Sequence, residues 1–175
     1  MKGFRVQTGK IKYLQRSILV VLLLSNLGAC GFYLAGGSSL PPQLVSIQLL
    51  SDNLDSSQRA LLNQQLTQAG ADLKDNLSAG VVLLSVSIEN LPERNLVDSA
   101  GSGKTIIRLF RQLSYSMTTA TGEQLEGQKT ILRQLDVELD SNDLAGLEYE
   151  KQSARVLLDQ ALIRQLIFQL KHFQN

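Results

Sequence analysis

The alternation of apolar and polar positions divides the chain beyond residue 42 into six elements and one long connection. Gln43 to Leu50 alternates with Val45, Ile47 and Leu49 on one side, as a half-buried strand does. Ser51-Asp52-Asn53 closes it. Asp55 offers an N-cap with Gln58 three residues on, the capping-box arrangement. Leu61, Leu62, Leu66 and Ala69 then recur at helical spacing, and Gly70 stops the helix. A strand, a helix and a further strand imply a crossover between parallel strands. That second strand is Val81 to Leu91, where Val82, Leu84, Val86 and Ile88 alternate. Pro92 to Gly103 is polar and glycine-containing and reads as a loop, of a length uncommon unless functional or disordered.

Lys104 to Thr119 is the clearest strand. Ile107, Leu109, Leu113, Tyr115 and Met117 share one face, while Arg108, Gln112, Ser114, Ser116 and Thr118 occupy the other, which is open to water or a polar partner. Ala120-Thr121-Gly122-Glu123 turns the chain into a fourth strand, from about Gln124 to Leu139. Strands of this length exceed the usual five or six residues and extend past a compact core, which suits an extended partner. Asp140-Ser141-Asn142-Asp143 supplies capping candidates for a helix reaching about His172. Its apolar stripe is Leu144, Leu147, Ala154, Leu157, Leu158, Ala161, Leu162, Gln165, Ile167 and Phe168, with Glu148, Glu150, Lys151, Arg155, Asp159 and Arg164 outside. Residues 43–175 thus form one domain of order β-α-β-β-β-α.

Residues 1–29 have a different pattern. Lys2, Arg5, Lys10, Lys12 and Arg16 precede an apolar run from Ile18 to Leu24 and then small residues, the layout of a secretory signal peptide. An uncleaved membrane helix, the alternative, needs about 20 apolar residues, and Ser25, Asn26 and Gly28 end this run sooner. Leu27-Gly28-Ala29-Cys30 resembles the lipobox of bacterial lipoproteins. The resemblance implies cleavage between Ala29 and Cys30, a diacylglyceryl group on the Cys30 sulfur and an acyl group on its freed amine; the other reading of Cys30 is an ordinary core cysteine. One myristoyl chain anchors only marginally, at about 0.8 kcal/mol per buried CH₂, whereas several anchor stably. Gly31 to Pro42, rich in Gly, Ser and Pro, reads as a flexible lipidated tether over 30–42. Its Phe32-Tyr33-Leu34 dips into the lipid interface, docks on a partner or begins the fold. Gly31 stands where an aspartate would resemble an inner-membrane retention signal, which points to the periplasmic side of the outer membrane.

Charge changes with cleavage. Five of the 17 Lys and Arg are lost and none of the 16 Asp and Glu, so 12 remain against 16 and the mature chain is mildly acidic. A nucleic-acid binder normally shows the opposite excess. With the one cysteine acylated, no intrachain disulfide forms. Gly101-Ser102-Gly103-Lys104-Thr105 resembles the end of a phosphate-binding loop, but Asp98 stands where the first glycine belongs and a strand follows instead of a helix. His172, the single histidine, fits a helix C-terminus better than a general base. Asp136, Glu138, Asp140 and Asp143 are accounted for by capping and solvation, with a weak calcium site as the other reading. No catalytic residue, metal or cofactor is expected apart from the covalent lipid on Cys30. The remaining constellation is basic: Lys104, Arg108, Arg111, Lys129 and Arg133 fall on the third and fourth strands or their ends. Arg forks and Lys point charges suit phosphates such as those of a lipid A head group; the alternative is scattered sheet charges pairing with Glu123 and Glu126. Arg108 lies on the polar face, whereas Arg111 interrupts the apolar one.

Cys30-Gly31-Phe32-Tyr33-Leu34, then Leu40-Pro41, a Val-Ile-Leu strand and a capped helix ending Gln68-Ala69-Gly70, resembles the LptE family of lipopolysaccharide-assembly lipoproteins. The close of the chain, with Ala161-Leu162-Ile163-Arg164-Gln165-Leu166, is similar to that family's final helix. Family members usually carry a basic residue before the glycine where Ala35 precedes Gly36 here. The resemblance implies an α/β fold of the α+β sandwich kind, two helices packed on one face of a four-stranded mixed sheet. It further implies a non-enzymatic outer-membrane lipoprotein, seated as plug and assembly factor in an LptD-like β-barrel that brings lipopolysaccharide to the cell surface. The alternatives are another envelope adaptor, such as an auxiliary lipoprotein of a lipid transporter, and a lipoprotein hydrolase, against which the lack of a nucleophile–histidine arrangement counts.

Overall fold

The computed structural model describes residues 39–51, 53–99, 104–140 and 143–174. The readings made for the signal segment, for Ala29 and Cys30 and for Phe32-Tyr33-Leu34 lie outside them. Seven elements follow one another: β1 (Ser46–Leu50), α1 (Ser56–Gln68), β2 (Asp72–Leu73), β3 (Val82–Ser99), β4 (Lys104–Thr119), β5 (Gln124–Asp140) and α2 (Leu144–Lys171), after a short 3-10 turn at Pro42–Leu44. The strands form one mixed sheet ordered β2-β1-β3-β4-β5. The crossover through α1 places β1 parallel to β3, from Ile47 opposite Val82 to Leu50 opposite Ser85. The fold is therefore the expected one with a fifth, two-residue strand added at the edge beside β1.

Local chemistry fixes the elements. Asp55 and Gln58 complete the capping box of α1, the Asp55 carboxylate accepting from the Gln58 N–H at 2.8 Å and the Gln58 amide oxygen from the Asp55 N–H at 2.9 Å. After that helix Gly70 takes φ +92°, a left-handed conformation that glycine reaches without a Cβ penalty. Asp143 caps α2 by accepting from the Gly146 N–H at 3.0 Å. At the other end His172 is the C-cap, with Nδ1 2.8 Å from the Phe168 carbonyl oxygen.

Alternation decides which face is covered. Val82, Leu84, Val86 and Ile88 of β3 and Leu113, Tyr115 and Met117 of β4 bury against Leu62 and Leu66 of α1 and Leu162, Ile163, Leu166 and Leu170 of α2. A second cluster, Ile107, Leu109 and Leu139 with Ala154 and Leu158, continues the core along the first half of α2. Both helices thus lie on one face. The other face carries no helix among the described residues, and β3, β4 and β5 run 18, 16 and 17 residues along it.

Three expectations need correction. The segment from Pro92 to Ser99 is strand, since β3 continues to pair with β4 as far as Ser99 opposite Lys104. Pro92 lies between Leu91 and Arg94 where the register shifts, so its missing N–H interrupts no ladder bond. Glu93 is held to α2 by Lys151 at 2.7 Å. Leu157 and Phe168, placed in the buried stripe of α2, are 56% and 57% exposed. Asp159, placed outside, is 6% exposed.

Candidate functional site

The five basic residues singled out from the sequence do not gather in one patch. Strand parity separates them: Lys104 and Arg108 of β4 stand on the helix-free face, while Arg111, opposite Arg133 of β5, and Lys129, opposite Tyr115, belong to the helix side. Lys104 pairs with Glu138. The Arg108 guanidinium donates from Nε and Nη2 to the two Asp136 oxygens at 2.6 and 2.8 Å, a bidentate pair that holds the Asp136 carboxyl below its ordinary range. Lys129 donates to Glu126 at 2.9 Å, as the sequence alternative expected, and that bond and charge raise its ammonium pKa. Arg133 donates to the neutral Gln165 amide at 2.8 Å.

Arg111 is the buried member. Its Nη1 donates to Asp159 Oδ2 at 3.0 Å, and the same oxygen accepts from Gln58 Nε2 at 2.9 Å. One carboxylate from α2 thereby ties β4 to α1 beneath the helices. Burial pushes the Asp159 carboxyl above its ordinary range, opposed by the Gln58 bond and the Arg111 charge. An arginine held in this way works inside the fold and does not meet an external phosphate.

The helix-free face has two parts. Near the β4–β5 turn it is lined with short hydroxyls, Ser85 and Ser87 of β3 opposite Ser116 and Ser114 of β4, with Thr130 of β5 beyond. Ser85, Ser87, Ser114, Ser116 and Gln128 border a shallow depression of about 220 Å³. Toward the far end the face becomes apolar and cationic. Leu91, Phe110 and Gln134 stand in one row across β3, β4 and β5, and Arg94, Arg108 and Asp136 in the next. Arg94 lies over the Phe110 ring, its guanidinium carbon 5.6 Å from the centroid, and Leu132 beside them is 51% exposed. Arg94 escaped the sequence reading because its segment was taken for a loop, and a period-two count carried past Pro92 would have set it opposite Ile107 on the core side; the register shift between Leu91 and Arg94 turns it to Arg108.

A groove of about 350 Å³ opens on the helix side, lined by Tyr115, Glu126, Lys129, Phe168, His172 and Phe173 among others. The Tyr115 hydroxyl donates to Gln169 at 2.9 Å, and burial raises its pKa. Among the described residues no group of His, Cys, Asp and Glu is arranged to hold a metal, and no helix is long and apolar enough to cross a membrane. Asp136, Glu138 and Asp140 alternate along β5, with Asp136 and Glu138 engaged by Arg108 and Lys104.

No protein-family model matches the chain, and no curated protein matches it by sequence. Solved structures do match. A minor lipoprotein from Acinetobacter baumannii superposes with a TM-score of 0.61 at 15% identity, over 75% of this chain and 94% of that one. An uncharacterized lipoprotein B from Nitrosomonas europaea does so with a TM-score of 0.57 at 17% identity, over 79% and 88%. This chain has the fold of those two bacterial lipoproteins. At such identities the likeness is one of backbone arrangement.

Proposed function

We propose that the chain is a lipoprotein acylated at Cys30, held at the periplasmic side of the outer membrane, which complexes with an LptD-like β-barrel as plug and assembly factor in lipopolysaccharide delivery. The observation that carries this reading is the helix-free face of the long β3-β4-β5 ribbon. Barrel interiors are polar. A face of Ser and Thr hydroxyls, with Lys104 and Arg108 neutralised by acidic neighbours and Arg94 resting on the Phe110 ring, brings few bare charges into such a lumen. The fold shared with bacterial lipoproteins and the lipobox resemblance support the same reading. In this proposal the chain catalyses nothing and needs no cofactor beyond its covalent lipid. Contact with lipopolysaccharide phosphates falls to Lys104 and Arg108, joined by Arg94 and the apolar Phe110 and Leu132. Lys129 and Arg133 are reached only from the helix side.

Purification of the native-level protein from detergent-solubilised membranes tests the proposal. A stoichiometric large barrel protein is expected. Co-purifying transporter subunits in its place would move the chain to the adaptor reading.

A further inference from the structure

The basic residues differ in how they are satisfied. On the sheet Lys104, Arg108, Arg111 and Lys129 each meet a carboxylate, while Arg94 rests on the Phe110 ring and Arg133 on the Gln165 amide. On the second half of α2 no carboxylate is met: among the described residues neither Arg164 nor Lys171 has an ion-pair partner, and the one acid of that half, Asp159, is buried with Arg111. Leu157, Ala161, Arg164, Phe168 and Lys171 recur at steps of four, three, four and three residues, so they share one side of the helix. That side faces away from the core and bears two of the most exposed large apolar side chains, Leu157 and Phe168. An outward stripe that is apolar and cationic, on a mature chain with an acidic excess, is the pattern of a helix lying on an anionic lipid surface.

Connectivity points to the same surface. The Leu40 N–H donates to the Ala69 carbonyl at the end of α1, beside the start of β1 and of β3, which stands opposite Thr119 of β4. The last residues of α2 lie against Tyr115 and Met117 at that same end of β4, so the described chain begins at the end of the sheet where α2 finishes. Cys30 is nine residues before Ser39, a span of at most about 30 Å.

We infer that, before a protein partner is engaged, the free lipoprotein rests on the anionic phospholipid leaflet through the Leu157-Ala161-Arg164-Phe168-Lys171 stripe of α2. The inference rests on the acylation of Cys30. Because α2 covers the opposite side of the sheet, this posture turns the hydroxyl-lined face away from the membrane and leaves it accessible.

The mature protein acylated at Cys30, reconstituted in vesicles of phosphatidylethanolamine and phosphatidylglycerol, tests it. With Cys30 acylated, a cysteine introduced at Gln160 on the helix, or at Gln134 on the helix-free face, is the one free thiol and takes an environment-sensitive fluorophore. Lipids spin-labelled near the head group are expected to quench the Gln160 probe several-fold more than the Gln134 probe. Arg164→Glu with Lys171→Glu is expected to lower the docked-to-undocked ratio by about fivefold for each cation removed, with unchanged circular dichroism. Equal quenching at the two positions, or equal quenching of the Gln160 probe on uncharged phosphatidylcholine vesicles, overturns the inference. Failure of the parent protein to float with vesicles at all overturns the Cys30 assignment and the posture with it, whereas flotation with equal quenching leaves the anchor standing.

Discussion

The Arg111 guanidinium of β4 and the Asp159 carboxylate of α2 lie against each other at 3.0 Å, with side chains 9% and 8% exposed. The Nε and Oδ1 atoms approach off the line that a hydrogen bond requires, so the contact there is ionic only. Removing one partner strands a buried charge, at a cost of about 3–5 kcal/mol, whereas replacing both by apolar groups is often neutral. Arg111→Leu is therefore expected to lower the urea midpoint sharply, and Arg111→Leu with Asp159→Leu to recover most of the loss. A double variant no better than the single one would show that the pair contributes more than its own desolvation takes away.

The same carboxylate sets a pH dependence of unusual sign. Burial raises its folded pKa above the ordinary value of 3.8, so the folded protein binds that proton more tightly than the unfolded chain. Its contribution is fully present below the unfolded value and is lost as pH rises through the folded one. Asp136 behaves oppositely, its folded pKa being lowered by Arg108, with stability present above 3.8 and lost as pH falls. Urea unfolding across this acidic range is expected to show the wild type losing stability relative to Asp159→Asn as pH rises. Against Asp136→Asn it loses stability as pH falls.

Gln58 serves two structures at once, the cap of α1 and the second hydrogen bond to Asp159. Gln58→Leu removes both side-chain bonds while the Asp55 carboxylate keeps its bond to the backbone N–H, with an expected loss of roughly 1–3 kcal/mol. Thermal unfolding followed by the helical circular dichroism signal reads it. Retention of full stability would mean that water replaces the amide.

Core and surface positions of α2 should separate cleanly. Leu162 has no exposed surface, and Leu162→Ala is expected to cost about 2–5 kcal/mol. Leu157 is 56% exposed, and Leu157→Ala is expected to stay within about 0.5 kcal/mol. Denaturant unfolding that ranks the two the other way would contradict the packing of this helix.

Cys30→Ala is expected to give a soluble periplasmic or unprocessed chain, read by fractionation and by mass spectrometry of the intact product. On the helix-free face, Arg94→Glu with Arg108→Glu is expected to reduce lipopolysaccharide retention by about tenfold or more, as loss of charge-assisted hydrogen bonds does. Unaltered retention would remove this face from lipid contact.

The strands and caps were legible because they rest on local chemistry. The Asp55–Gln58 box, the alternation of β4 and the turn around Gly122 each need only neighbouring residues. The end of β3 was not legible, because a proline and a polar run signal a loop unless a bulge beside the proline is known. The basic constellation failed for a related reason. Parity within β4 separates Arg108 from Arg111, but the faces of Lys129 and Arg133 depend on the register of β5 against β4, which irregularities after Tyr115 shift. The burial of Asp159 was hidden as well, since its partners lie 48 and 101 residues away.

The Pro92 irregularity has one more effect. Among the described residues β3 has no neighbour on the β1 side beyond Ser85, which leaves a run of amides there able to template pairing between molecules. A proline and two register shifts in that run spoil it as a template. For a protein that lipid would crowd into two dimensions, such a blunted margin works against edge-to-edge pairing of neighbouring copies.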